Sequence, residues 1–362
     1  MSLLSGNITV ELDRLRTAVV FMENEKIAWN ESQKNCREWF TDLVTIYDND
    51  DNKKLEEHPL GSSNGAFFGL TQGNQANKWS NGEPYSYNKT HTENNDFCFQ
   101  MMQNGEWDSV NCKEEKAFIC YSDEPFSPFM YHPCEEKKTW KAAQNYCITH
   151  NMTDLVSIGN EEENSAVKSA AKRSGLNIPF WIGLMRDSWE WSDKGGSAFR
   201  KWSTGVGNGP NAIMIDSWYT GPANTLKNNF ICYKAHINIS EERMTWEEAL
   251  DYCDKHDGFL SIEDSKEQRV VEAFLSRYEV NEPVWIGLLQ NGLLGYWVWT
   301  RGYTVKWAYW KDRQKPRLPL SHPCGALLTK KHHFWWTDMN CQSKLRALCF
   351  DQQSKCHVNK NL

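Results

Sequence analysis

The chain repeats one pattern of apolar and polar positions three times. In each copy a tryptophan stands seven residues before a cysteine, within a stretch whose apolar residues recur at helical spacing. In the third copy Trp246, Ala249 and Cys253 fall at i, i+3 and i+7, which places them on one helical face. The pattern therefore predicts a first helix in every copy, with its cysteine turned inward. The cysteines of the three predicted helices are Cys36, Cys147 and Cys253.

The same order of elements follows each predicted first helix. A short apolar run comes next, then a strand signal of the form aromatic-x-Gly-Leu, and finally an apolar stretch that ends in cysteine. The apolar runs are residues 42–46, 154–158 and 258–262, the strand signals are 67–70, 181–184 and 285–288, and the closing stretches are 118–120, 230–232 and 347–349. Such self-similarity at a fixed period predicts a tandem array of one kind of domain.

A second helix is predicted between the apolar run and the strand signal. In the second copy it covers residues 161–173, because the segment begins acidic and ends with Lys172 and Arg173 before Gly175. In the first copy a polar second helix is predicted over residues 49–58. The stretch between Thr71 and Phe97 is rich in Asn, Gly and Ser, so it is predicted to be a long loop.

The repeats divide the chain into three predicted domains, each large enough for one hydrophobic core. These are the first repeat (residues 17–121), the second repeat (128–234) and the third repeat (235–350), followed by a polar tail (351–362). The segment 122–128 contains two prolines and is predicted to be a short linker.

Cysteine usage and sequons indicate an extracellular protein. Twelve cysteines in regularly spaced pairs are typical of a disulfide framework in an oxidising compartment. No apolar run approaches about 18 residues, so no membrane segment is predicted, and the first residues lack a signal-peptide pattern. We expect a secreted protein or an ectodomain fragment of a membrane receptor. Five N-glycosylation sequons support secretion: they begin at Asn7, Asn30, Asn88, Asn151 and Asn238.

The net charge indicates which class of partner to exclude, and the aromatic content indicates what fills the cores. The net charge is −7 with mixed signs, which argues against nucleic acid as the main partner. Eighteen tryptophans cannot all remain in water, so most are expected in the cores.

Equivalence between the repeats predicts how most cysteines pair. The first-helix cysteine of each repeat is expected to bond to the closing cysteine of the same repeat, and two repeats add an inner pair. The expected bonds are Cys36–Cys120, Cys147–Cys232, Cys253–Cys349, Cys98–Cys112 and Cys324–Cys341. Cys134 and Cys356 are left over, and they are expected to pair with each other, to pair with another chain or to stay free.

The combined motifs resemble the C-type lectin-like domain family. The first and third repeats contain a tryptophan five residues before a cysteine, in WDSVNC (107–112) and WTDMNC (336–341). The tandem array is similar to part of a mannose receptor family protein. The resemblance implies an α+β fold of three domains, each with two helices, two small antiparallel sheets and a long loop region that binds ligand.

In that family, sugar is bound through Ca²⁺, which takes about 6–8 oxygen ligands. The positions that match the family's ligand set in the first repeat are Glu83, Asp96 and Asp108. Tyr85 and Ser109 replace two strong ligands, so the resemblance implies a degenerate calcium site in this repeat. The second repeat lacks the ligand triplet, and the third places cations in it, so Ca²⁺ is expected in neither.

The cations of the third repeat offer a different chemistry. Arg313, Lys315 and Arg317 lie in a basic segment with interleaved tryptophans, and arginine binds anions through paired hydrogen bonds. The segment is therefore a candidate site for sulfated or sialylated glycans or for an acidic protein. The alternative is a solvated basic loop over a Trp-rich core.

No enzyme chemistry is expected. Residues 61–65 fit the G-x-S-x-G pattern, but a predicted helix precedes them and a predicted strand follows, the reverse of what a hydrolase needs. We expect an array that binds glycans or glycoproteins, largely without calcium, in an endocytic or pattern-recognition receptor. The alternatives are a protein-binding module that uses the long loops and a spacer that binds nothing.

Overall fold

The structure is a computed structural model of the whole chain. It describes residues 9–14, 18–57, 65–83, 85–92, 97–122, 130–150, 152–177, 179–197, 199–203, 209–215, 217–221, 226–292, 295–302, 304–310, 316, 322–330 and 333–351. Among these residues there are two helices in each repeat, as predicted. No helix in these ranges is long and apolar enough to cross a membrane.

The first repeat contains helices α1 and α2 and, preceded by β1, the strands β2 to β8. Their bounds are β1 Thr9–Arg14, β2 Ala18–Ile27, α1 Trp29–Trp39, β3 Asp42–Leu43, α2 Asn49–Glu56, β4 Ala66–Trp79, β5 Thr90–Thr92, β6 Cys98–Met101, β7 Trp107–Val110 and β8 Lys116–Tyr121.

The second and third repeats continue the same order of elements. The second has β9 Tyr131–Lys138, α3 Trp140–Thr149, β10 Asp154–Leu155, α4 Glu161–Arg173, β11 Phe180–Trp191, β12 Asn211–Met214, β13 Trp218–Gly221 and β14 Asn228–Ala235. The third has β15 Ile237–Ile239, α5 Trp246–Asp254, α6 Ser265–Arg277, β16 Val284–Gln290, β17 Trp297–Trp299, β18 Cys324–Lys330, β19 His333–Met339 and β20 Arg346–Phe350.

Local capping explains where the helices begin and end. Thr245 precedes α5, and its Oγ1 atom accepts a hydrogen bond from Glu248 N at 3.3 Å. The Glu248 carboxylate accepts one from Thr245 N at 2.7 Å, which completes a capping box. Helix α4 ends at Arg173, and Gly175 follows with a φ of +82°, a conformation that suits glycine. Both features follow from the sequence.

The third repeat folds on itself and forms the third lobe (residues 236–351). Strand β16 turns back into β17, with Leu288 opposite Trp299. The closing strand β20 runs parallel to β16 and antiparallel to β15. The predicted bonds Cys253–Cys349 and Cys324–Cys341 are both present.

The first two repeats exchange their closing halves. The opening strand β2 of the first repeat pairs with β14 of the second, and β9 of the second pairs with β8 of the first. Two lobes result. The inner lobe is the continuous segment 78–186, and the outer lobe combines residues 18–72 with 189–235.

The exchange corrects two predicted disulfides. Cys36 is bonded to Cys232 and Cys120 is bonded to Cys147, so the predictions Cys36–Cys120 and Cys147–Cys232 were wrong. Cys98–Cys112 is formed as predicted. The first helix of each of these two repeats is still tied to a closing strand, but that strand belongs to the other repeat. Cys134 is free in the described part of the chain, and Cys356 lies outside the described residues.

Two long strands carry the chain from one lobe to the other. Strands β4 and β11 pair antiparallel from Leu184 opposite Trp79 to Trp191 opposite Leu70, with one register shift. The prediction of a loop from Thr71 onward was therefore wrong as far as Trp79. The segment is extended because its backbone groups pair with β11, and this pairing outweighs a composition that is typical of loops.

Identical closing sequences make the exchange possible. Residues 118–121 and 230–233 are both Phe-Ile-Cys-Tyr. Leu155 pairs with Cys120 in the inner lobe, and Leu43 pairs with Cys232 in the outer lobe, in the same register. Either opening half thus finds the same contacts on either closing strand.

The third lobe packs against the outer lobe through helix α6. Lys266 Nζ lies 3.0 Å from Asp48 Oδ2, and Arg277 Nε lies 3.2 Å from Asp42 Oδ2. One hydrophobic cluster continues across this contact, and it includes Met22 of the outer lobe and Val271 of the third. The inner lobe has a separate core around Trp79 and Trp107.

Candidate functional site

The loop that follows β4 in the first repeat lies on the inner lobe. Tyr85 and Tyr87 pack beside the buried Trp79 and Trp107, with ring centroids 6.5 Å apart for Trp79 and Tyr85 and 5.6 Å for Tyr87 and Trp107. The Trp107 indole donates a hydrogen bond to Asn164 Oδ1 at 3.0 Å. Because Asn164 belongs to α4, the loop of the first repeat rests on a helix of the second.

Glu161, at the start of α4, holds this loop. The Tyr87 hydroxyl donates to Glu161 Oε2, and Lys89 Nζ lies 2.9 Å from the same oxygen. Trp107 N also donates to Lys89 O at 3.0 Å. Burial, together with the hydrogen bond to Glu161, raises the pKa of Tyr87 above its ordinary range. The hydrogen bonds from Tyr87 and Lys89 lower the pKa of Glu161.

The three predicted calcium ligands have different surroundings. Glu83 Oε2 accepts a hydrogen bond from Ser157 Oγ at 2.6 Å, which directs that carboxylate toward the second repeat. Asp108 lies on β7, with its Oδ1 atom 3.7 Å from His91 Nδ1. Asp96 lies outside the described residues. Among the described residues, no three His, Cys, Asp or Glu side chains are grouped as a metal site.

The described residues cover the basic segment of the third repeat only in part. Arg313, Lys315 and Arg317 all fall outside them, so the predicted anion site stays a prediction. The interleaved tryptophans are described in part. Trp310 lies 5.8 Å from Trp336 between ring centroids, and both are buried. Both rings belong to a hydrophobic core cluster, in agreement with the Trp-rich core of the alternative prediction.

One set of interactions was missed from the sequence. In each lobe a tryptophan lies on the strand before the closing strand, and its indole donates a hydrogen bond to the side chain of an Asn or Gln. That Asn or Gln is the fourth residue of the second helix in its repeat. The three pairs are Trp107 with Asn164 at 3.0 Å, Trp218 with Asn52 at 2.7 Å, and Trp336 with Gln268 at 3.0 Å. An Asn or Gln at one fixed helix position was visible in all three repeats. Its partner was not, because two of the three pairs cross between repeats.

Two buried carboxyls support the fold rather than a ligand. Asp154 Oδ1 accepts hydrogen bonds from Ser80 Oγ at 2.8 Å and from Leu155 N at 2.6 Å. Burial raises the pKa of Asp154 to about 6. Asp193 accepts from Thr45 Oγ1 at 2.8 Å, and burial raises its pKa to about 6 as well.

Two of the five predicted glycosylation sites are exposed in the described structure. Asn30 lies on α1 of the outer lobe, and Asn88 lies in the long loop of the inner lobe. Asn238 is half-buried on β15. Asn7 and Asn151 lie outside the described residues.

Comparison with known proteins identifies the family. The model of the Lectin C-type domain matches residues 25–122, 136–234 and 242–350, which together form most of the chain. The chain belongs to the C-type lectin domain family. The resemblance seen in the sequence and the expected α+β class are therefore confirmed, with one matched segment in each repeat.

The C-type lectin array is similar to three curated receptors. Lymphocyte antigen 75 of Homo sapiens is 23% identical over 357 residues, covering 78% of this chain and 20% of the relative. C-type mannose receptor 2 of Homo sapiens is 22% identical over 395 residues, covering 89% and 26%. Secretory phospholipase A2 receptor of Mus musculus is 23% identical over 406 residues, covering 88% and 26%. The chain thus spans between a fifth and about a quarter of the length of these relatives.

Proposed function

We propose that this C-type lectin array is a binding protein, not an enzyme, and that it recognises glycans or glycoproteins outside the cell as part of an endocytic or pattern-recognition receptor. The inner lobe provides one binding face, formed by Tyr85, Lys89, His91 and Asp108. Hydroxyl, ammonium, imidazole and carboxylate groups beside aromatic rings suit sugar hydroxyls. Repeated weak contacts along an array add through avidity.

We propose further that binding is largely independent of calcium. The observation that carries this is that two predicted calcium ligands contact different partners. Glu83 accepts a hydrogen bond from Ser157, and Asp108 lies beside His91. A Ca²⁺ site needs several oxygens that converge on one point. With Tyr85 and Ser109 in place of two strong ligands, the described residues of the face offer few oxygens for an ion.

A glycan array, run once with Ca²⁺ and once with a chelator, tests this function. We expect binding that persists in the chelator and falls in Asp108→Asn, while Asp251→Asn, an exposed position on α5, leaves it unchanged. Titration calorimetry with Ca²⁺ should show no sub-millimolar binding. Calcium-dependent binding to mannose- or galactose-type sugars would contradict calcium independence. Binding of sulfated glycans that is lost in Lys315→Glu and Arg317→Glu would assign recognition to the third repeat.

A protein ligand is the second candidate function. Phe97, at the end of the long loop, is an apolar side chain that is 50% exposed, and exposed aromatic rings are common in protein interfaces. If no glycan binds, a glycoprotein or protein partner that loses affinity for Phe97→Ser would support this alternative. An array in which neither glycans nor proteins bind would act as a spacer.

A further inference from the structure

Asn88 opens the sequon Asn88-Lys89-Thr90 on the inner lobe. The side chain is exposed, and its Oδ1 atom accepts a hydrogen bond from Thr90 N at 2.7 Å. Its Nδ2 atom, the one to which a sugar is attached in N-glycosylation, makes no hydrogen bond with the described residues. The acceptor nitrogen is therefore available on the folded surface.

The backbone on the C-terminal side of Asn88 is held in place. Lys89 O accepts from Trp107 N at 3.0 Å, and Lys89 Nζ lies 2.9 Å from Glu161 Oε2. On the N-terminal side, Tyr87 is bonded to the same carboxylate. Both neighbours of Asn88 are thus fixed to helix α4 or to strand β7, so a sugar at this residue has a defined root.

That root lies beside the proposed binding face. Thr90 pairs with Trp107 in the register of β5 and β7, and Asp108 is the next residue on β7. His91 Nδ1 lies 3.7 Å from Asp108 Oδ1, and the His91 side chain is 61% exposed. Asn88 is therefore three residues from a side chain that contacts the carboxylate of the face.

We propose that Asn88 carries an N-linked glycan that covers the face around His91 and Asp108 and limits the access of large ligands to it. The Nδ2 atom forms a bond to C1 of a diphosphate-linked oligosaccharide donor, the lipid diphosphate leaves, and Nδ2 loses one proton. The bulk and hydration of the glycan then exclude macromolecules from the face. This regulation rests on the proposed function only in assigning binding to that face.

The second exposed sequon supplies a matched control. Asn30 lies on α1 of the outer lobe, and its glycan would extend from a different lobe. The full chain is expressed behind a secretion leader in three forms: with both asparagines intact, with Asn88→Gln and with Asn30→Gln. All three carry His91→Cys to report on the face and Cys134→Ser to remove the thiol that is free among the described residues. Peptide mapping measures glycan occupancy at Asn88. Mapping after reaction with a polyethylene glycol maleimide measures the labelling rate at position 91.

We expect Asn88 to carry a glycan. The labelling of position 91 should be several-fold faster in Asn88→Gln than in the form that keeps both asparagines. Asn30→Gln should leave that rate unchanged. An unmodified Asn88, or equal labelling rates with and without its glycan, would overturn the proposal. Neither measurement needs a ligand, so its failure is distinct from a failure of the glycan array. If the array shows binding, Asn88→Gln in a chain that keeps His91 should increase it, and Asn30→Gln in the same chain should not.

Discussion

Cys36 is bonded to Cys232, which lies 196 residues away in the next repeat. The bond ties helix α1 to the closing strand of a different copy of the same domain. Together with Cys120–Cys147, it makes the first two repeats one covalently interlocked pair. The first repeat therefore has no complete core without the second. Its long loop rests on α4, a helix that belongs to the second repeat.

The length of one connection is expected to control this crossing. Trp299 follows Leu288 by eleven positions in the third repeat, which forms a β16–β17 hairpin, whereas Trp191 follows Leu184 by seven. A shorter connection disfavours the return of the strand, and strained short loops favour exchange of elements. An insertion after Asp187 that restores the third-repeat spacing should yield Cys36–Cys120 and Cys147–Cys232. Peptide mapping without reduction checks this.

The same insertion within residues 123–129 is the control, and it should keep the crossed bonds. A crossed map in both variants would show that the connection length does not decide the pairing. An uncrossed map in the unaltered chain would contradict the structure itself.

Asn164→Ala should destabilise the inner lobe by about 1–3 kcal/mol, because it leaves the buried Trp107 indole without an acceptor. The effect crosses between repeats, since the substitution lies in the second repeat and the indole that it leaves unpaired lies in the first. Hydrogen exchange of the Trp107 segment measures it. Ser165→Ala, the next and exposed position of α4, should leave that exchange unchanged. Unaltered protection of Trp107 in Asn164→Ala would refute the pairing.

The stability of the inner lobe should depend on pH through Asp154. Burial raises its pKa in the folded state to about 6, above the ordinary value near 4, so the folded state holds this proton more tightly than the unfolded chain. Below about pH 4 the carboxyl is protonated in both states and does not reduce the free energy of unfolding. Between about pH 4 and pH 6 it ionises in the unfolded chain but not in the folded state, which reduces the free energy of unfolding. Stability is therefore lost as the pH rises through this window, by up to about 3 kcal/mol.

Asp154→Asn should remove this dependence, so its stability relative to the unaltered chain should increase from pH 4 to pH 6. Hydrogen exchange of residues 152–158 at several pH values measures the difference. Asp251→Asn, on the exposed face of α5, should run parallel to the unaltered chain. A constant difference between Asp154→Asn and the unaltered chain across the window would rule out Asp154 as the titrating group.

Arg277→Ala should loosen the contact between the third and outer lobes. Asp42 is fully buried and lies 3.2 Å from Arg277 and 2.9 Å from Arg37, so removal of Arg277 leaves it one cation. The contact is an ion pair, and its loss should cost less than the about 3–5 kcal/mol of a buried carboxylate left without any cation, because Arg37 remains. Small-angle scattering should show a larger radius of gyration. Arg243→Ala, at an exposed pair with Glu282 within the third lobe, should not change the radius, and equal radii for both variants would contradict the expectation.

Local patterns determined the parts of the fold that depend on neighbouring residues. The three first helices, the capping box at Thr245 and the glycine after α4 all follow from side chains within a few positions of each other. The inner bonds Cys98–Cys112 and Cys324–Cys341 also close short segments, with separations of 14 and 17 residues. The candidate calcium ligands Glu83 and Asp108 stay a prediction, and their separate partners, Ser157 and His91, were not predicted.

What the sequence by itself determined is the repeated domain, its helices and its closing strands. Only the tertiary structure decided which closing strand each opening half joins. Residues 118–121 and 230–233 are identical, so they offer the same apolar contacts, the same register and the same cysteine. Local sequence does not choose between equal partners, and the crossed arrangement contains the long pairing of β4 with β11, which is a property of the folded chain. The long loop of the first repeat depends on that choice, because in the crossed arrangement Glu161 of the second repeat contacts Tyr87 and Lys89.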